Sequence, residues 1–177
     1  MTATLLPRPA DDEFNPFYAD YIAKVPDGEV LKFLETQLRE VRSLLSTVPE
    51  GRGTHRYADG KWSIKEVIGH VCDAERIFAY RALRIARNDA TPLAGFDENL
   101  YVPAGKFDAR TMASLVDEVV QVRDATMSLV RTLDAEMGAR RGTASGKTIS
   151  ARALVWIIAG HMAHHTGVLR ERYGVGA

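Results

Sequence analysis

The stretch RALVWIIAGHMAHHTGVLRERYG, residues 152–174, decides how the rest of the chain is read. Leu154, Ile158, His161, His165 and Val168 recur at the spacing that lines one face of an α-helix. A helix is expected from Thr148 or Ser150 to about Tyr173, with Gly174 as its stop. Its apolar stripe runs into histidines. His161 and His165 lie four residues apart, ~40° in azimuth and ~6 Å along the axis, so both imidazoles can reach one ion. His164 is ~60° from His161 and is also within reach by spacing alone.

Three further stretches carry the same periodicity. The first, from about Asp27 to Val48, has a stripe of Val30, Leu34, Leu38, Val41 and Leu45. The second starts at Ser63, where S-I-K-E has the spacing of a capping box, and runs to about Asn88. The third is expected to begin after Asp108 as N-cap and to end near Leu133. The links PEGRG, ADGK, NDATPLAGFDEN and GTASGK carry turn chemistry, and no run alternates long enough to predict a strand. The expected fold is therefore all-α, a four-helix bundle. The link from Asp89 to Phe107 is too long for a tight bundle turn and predicts a crossover or a functional loop. Residues 1–26 include Phe14, Phe17, Tyr18 and Tyr21, and this aromatic content predicts a segment packed on a bundle domain of residues 27–177.

Composition narrows the function classes. The chain has 177 residues, 46% of them hydrophobic, and 23 basic residues balance 23 acidic ones. This neutrality argues against sequence-independent nucleic-acid binding, which needs a positive excess for counterion release. Arg76, Arg81, Arg84 and Arg87 read as the basic end of a helix, favoured by its dipole and paired to acids. Cys72 is the only cysteine, which excludes an intrachain disulfide and multi-cysteine zinc sites and fits a cytoplasmic location. The opening MTATLLPRPADDEF does not read as a signal peptide, and no apolar run approaches the ~20 residues that span a bilayer.

His70 falls on the inner stripe of the second helix, after Val67 and before Ala74 and Ile77. Two readings of His70, His161 and His165 stay open on spacing alone. Each can be a core histidine bonded to a carbonyl or a buried acid, or the three can hold a metal ion between facing helices. Met162 occupies the glutamate position of H-E-x-x-H, so the zincin base is missing. Asp73, one turn from His70, reads either as a solvated acid or as a group that orients the ring. Glu66 is explained by its cap, Cys72 reads as an inert buried thiol, and His55 as a solvated loop residue. No Gly-x-Ser-x-Gly or phosphate-cradling loop is present.

KWSIKEVIGH at 61–70, RALRIAR at 81–87, TPLAGFDEN at 91–99 and RALVWIIAGHMAHH at 152–165 together resemble the DinB/YfiT-like superfamily. The resemblance implies an up-down-down-up bundle, whose second and third helices need a long link. It also implies one divalent metal, zinc or nickel, held by His70, His161 and His165, with His164 a neighbour rather than a ligand. Similar sequences place an acid directly after the first late histidine, and Met162 leaves that acid without a counterpart here. The activity implied is metal-dependent: a small-molecule S-transferase using a low-molecular-weight thiol as co-substrate, or a hydrolase. The alternative is a non-catalytic, stress-related or interaction protein with a vestigial or empty site. A small-molecule substrate is the expected partner, a second copy of the chain a candidate one, and no nucleic acid or membrane is expected.

Overall fold

The computed structural model describes residues 6–176. Residues 1–5 of the expected N-terminal segment, and residue 177, lie outside it. The elements are α1 (Ala19–Ala23), α2 (Val30–Leu45), α3 (Ile64–Ala86), α4 (Glu98–Gly105), α5 (Met112–Val130), α6 (Ala135–Ala139), β1 (Arg141–Ala144), β2 (Lys147–Ser150) and α7 (Ala151–Tyr173). Helices α2, α3, α5 and α7 form the bundle.

Pairs of contacting residues give the helix directions. Ser63 meets Asp108, Glu75 meets Arg123 and Arg87 meets Thr132, so α3 and α5 run parallel. Tyr173 meets Trp62 and His161 meets His70, so α7 is antiparallel to α3. Glu35 meets Arg131 and Gln37 meets Arg123, so α2 opposes α5. The order is up-down-down-up. Because α3 and α5 are parallel, the chain must travel back along the bundle between them, and residues 87–111 do so. Their course is pinned by α4 and by a bridge from Leu93 to Ala144.

At the bundle centre a buried polar network joins all four helices. Arg123 donates to both oxygens of Glu75 at 2.8 and 2.9 Å and to Gln37 Oε1 at 2.8 Å, and Gln37 donates to Ala159 O at 2.9 Å. Around it, Leu34, Phe78, Leu154, Trp156 and Ile157 fill one core, and Val41, Ile68, Leu115 and Met162 a second.

The caps follow the sequence at three helix ends. Ser63 accepts from the Glu66 N–H, while the Glu66 carboxylate accepts from the Ser63 N–H at 2.8 Å. Ser150 caps α7 through the Ala153 N–H, and Gly174 ends it at φ 62°. The expected Asp108 cap is corrected. Thr111 caps α5 by accepting from the Ser114 N–H at 3.1 Å. Asp108 lies in a preceding 3-10 turn and accepts from Ser63 and Arg56. The turn is displaced because Phe107 must first reach the core against Gly69, where a Cβ would lie 2.3 Å from its ring.

The absence of strands is also corrected. β1 and β2 pair antiparallel with Arg141 opposite Ser150 and Ala144 opposite Lys147. Ser145 at φ 52° and Gly146 at φ 73° make the two-residue turn with positive φ that suits a hairpin's twist.

Before the bundle, α1 lies on α7. Tyr18 and Tyr21 pack against its core, and Trp156 donates to Leu6 O at 3.1 Å. Among the described residues no helix is long and apolar enough to cross a membrane.

Candidate metal centre

His70 sits in the second turn of α3, one turn before the core residue Ala74, and α7 presents His161 and His165 opposite it. His161 Nε2 lies 3.1 Å from His70 Nε2 and 3.1 Å from His165 Nε2. One ligating nitrogen from each ring lies within 4.8 Å of the others. His164 is not among the converging donors; its ring stands edge-on to Tyr21 and His165, with centroids 5.3 and 4.9 Å away. Met162, in the place of the zincin glutamate, is part of the apolar core.

Burial sets the charge of the cluster. It pushes the His70 pKa down to about 4, against an opposing influence from Glu98. It pushes His165 down to about 3, helped by His70 and His164. His161 is driven well below the ordinary value, first by burial and then by the neighbouring rings. At neutral pH all three rings are uncharged, the state in which imidazole ligates a metal.

A neutral ring nitrogen carries either one proton or one lone pair. His161 Nε2 therefore cannot make good hydrogen bonds to both neighbours when it holds a single proton or a single lone pair. Three lone pairs turned on one cation remove the conflict. Ligands at ~2.0–2.1 Å in tetrahedral array stand about 3.3 Å apart, close to the observed separation. The residues present fit a divalent ion.

Cavities open on two sides of the cluster. One of about 180 Å³ is lined by His70, His161, Tyr21, Phe78, Arg81 and Glu98. The other, about 310 Å³, is lined by His165, Tyr57, Lys61, Trp62, Asn99 and Tyr173. Asp97 caps α4 by accepting from the Asn99 N–H at 2.9 Å, and so holds Glu98 and Asn99 at the two cavities. The long link is thus part of the site. No motif marks Glu98, Asn99 or Arg81 as part of the site; the one signal in the sequence is the FDEN cap inside an over-long link.

Other singled-out residues lie apart. Asp73 is 3.7 Å from Arg76 and makes no hydrogen bond to His70. Cys72 is buried among apolar side chains, and burial pushes its thiol pKa far up. His55 is exposed, its ring edge-on to Tyr173. Of the four arginines expected to pair with acids, Arg76 pairs with Glu118 and Arg84 with Asp89, whereas Arg81 and Arg87 donate to uncharged acceptors.

The chain matches the family model of the DinB superfamily over residues 34–169. Its fold resembles YfiT from Bacillus subtilis, described as "a probable metal-dependent hydrolase with an unusual four-helix bundle topology". The two share 15% identity with a TM-score of 0.69, over 95% of this chain and 94% of that one. It also resembles a mycothiol-dependent maleylpyruvate isomerase at 16% identity and a TM-score of 0.68, over 88% of this chain and 64% of that one. No curated protein matches. The family match covers most of the bundle and all three converging histidines, and the chain belongs to the DinB superfamily.

Proposed function

We propose that this chain is a divalent-metal-dependent enzyme acting on a small molecule, either by transfer to a low-molecular-weight thiol or by hydrolysis. His70, His161 and His165 are its ligands, for zinc or nickel. The observation that carries the reading is the 3.1 Å convergence of three uncharged ring nitrogens between two cavities. A divalent ion held by three imidazoles supplies Lewis acidity that lowers the pKa of a water or thiol brought to it. The rings add no charge of their own, so the ion's full positive charge acts in the site. Glu98, sharing a cavity with His70 and His161, is placed to accept a proton from the attacking group.

The two relatives of similar fold, one called a metal-dependent hydrolase and one mycothiol-dependent, support both reaction types. The cavities favour an enzyme over a non-catalytic protein with an empty site. We place it in the cytoplasm, on the evidence of its single cysteine. A homodimer is the proposed assembly: exposed Tyr80 and Leu83 border an apolar groove between α3 and α5. Sedimentation at micromolar concentration tests it.

Metal analysis of the purified chain, before and after reconstitution, should find one divalent ion per chain. Finding none overturns the proposal. The loaded protein is then offered ester and amide substrates, and electrophiles with and without a small thiol. Thiol-dependent turnover identifies a transferase, thiol-independent turnover a hydrolase. No turnover in any arm returns the non-catalytic reading.

A further inference from the structure

Two arginines of this bundle are almost wholly buried. Arg123 is 0% exposed and has Glu75 as its counter-charge. Arg81 is 2% exposed and, among the described residues, has no carboxylate within ion-pair distance. Its Nη2 donates to Ala94 O at 2.7 Å and to Ser145 Oγ at 3.1 Å, both uncharged acceptors. The Phe78 and Phe96 rings lie 6.0 and 5.8 Å from the guanidinium carbon. A guanidinium withdrawn from water without a counter-ion is a costly arrangement. This one forms a wall of the 180 Å³ cavity that His70 and His161 also line.

We propose that Arg81 anchors the carboxylate of a small apolar acid in this cavity, with the rest of the ligand directed toward His70 and His161. The inference deepens the metalloenzyme reading by naming its substrate class, and it rests on that reading for the ligand's chemical fate but not for its binding. With Nη2 held by Ala94 and Ser145, the Nε and Nη1 donors of the guanidinium remain for charge-assisted hydrogen bonds to a carboxylate. The rings of Phe78, Phe96 and Tyr18 suit an apolar body. The volume sets its size, since a cavity of roughly 150 Å³ already holds benzene. Glu98 lines the same cavity beyond ion-pair distance of Arg81, so the pocket has one cationic and one anionic wall, and an acid entering it is oriented with its carboxylate toward Arg81. The hydrogen bonds of Arg81 to Ala94 and Ser145 fix its head to the long link and the hairpin, which fits an anchor.

Phenylacetate and its neutral isostere phenylacetamide are the probes, titrated calorimetrically into the full chain, both chelator-stripped and zinc-loaded. The acid should bind the stripped protein at least about tenfold more tightly than the amide, as expected for charge-assisted hydrogen bonds. Arg81→Met should abolish that preference and Arg81→Lys should keep most of it. Equal binding of acid and amide overturns the proposal, as does unchanged acid binding in Arg81→Met. Binding of the acid only after zinc loading also overturns it, because the ion and not Arg81 then holds the carboxylate. Should the variants fail to fold, the acid–amide comparison on the unaltered chain decides alone. A chain that takes up no metal but prefers the acid sinks the metalloenzyme reading and leaves the anion site standing.

Discussion

The carbonyl oxygen of Tyr21 occupies the space where a side chain on residue 160 would stand: a Cβ on Gly160 would lie 1.9 Å from it. α1 therefore rests directly on the backbone of α7, one residue before His161. The obstacle is main chain on both sides, so no rotamer change relieves it. Gly160→Ala should force α1 off α7 and lower stability by about 1–3 kcal/mol, the usual cost of overpacking. It should also widen the cavity beside His161, because Tyr21 and Phe17 line it. Thermal melts of the variant read the first effect. An unchanged melting temperature would refute the contact.

Arg123 and Glu75 make a test of a different kind. Removing one partner leaves a buried charge alone, whereas removing both leaves a hole that apolar atoms can fill. Glu75→Leu or Arg123→Met alone should cost about 3–5 kcal/mol. The double variant should be more stable than either single one. Urea unfolding of the four proteins closes the cycle. Equal additive losses would show that the pair contributes no coupling to the bundle centre.

The metal assignment predicts a ranking among histidines. His161 Nε2 is the atom common to both 3.1 Å contacts, so His161→Ala should weaken zinc binding most. His70→Ala and His165→Ala should weaken it by at least the 10–100-fold seen when supporting residues of metal sites are lost. His164→Ala should leave affinity within about threefold, since its ring lies edge-on to Tyr21 and His165 but offers no nitrogen to the converging set. Competition with a chromogenic chelator measures all four. Loss of binding in His164→Ala equal to that in His161→Ala would overturn the ligand assignment.

The helices and the histidine pattern were legible because both follow a 3.6-residue period that survives in sequence. Val67, His70 and Ala74 share a stripe with one another whatever the tertiary context. What could not be read were features decided by contacts between distant segments. The α5 start was misplaced because Asp108 has good capping chemistry, yet Phe107 is drawn into the core against Gly69 and postpones the helix to Met112. The hairpin is not legible because four residues per strand are too few to show alternation, and Gly142 offers no side chain to a pattern. It is joined by Leu93, some 50 residues earlier, which bridges to Ala144. Arg81 looked like one of four cations at a helix end. Only the folded chain separates it from Arg76 and Arg84, which find carboxylates.

The N-terminal segment gives a pH test. Glu13 is buried and bonded to Arg152, whose side chain is 21% exposed. Burial alone would raise the Glu13 pKa, but hydrogen bonds from Arg152, Ser150 and the Ala10 N–H outweigh it and hold the carboxyl near 2 rather than 4.5. A carboxyl whose folded pKa is depressed stabilises the fold fully above its unfolded value and loses that contribution as pH falls toward the folded one. The contact should thus be intact at neutral pH and be lost between about pH 4.5 and about pH 2. Allowing for solvent screening at Arg152, the amount is about 1–2 kcal/mol. Glu13→Gln cannot titrate, so it should be less stable than the parent at pH 7 and the difference should shrink steadily below pH 4.5. Urea unfolding of both proteins at several pH values measures this. A stability difference that stays constant down to pH 3 would mean that the loss comes from altered packing of Glu13 and not from its charge.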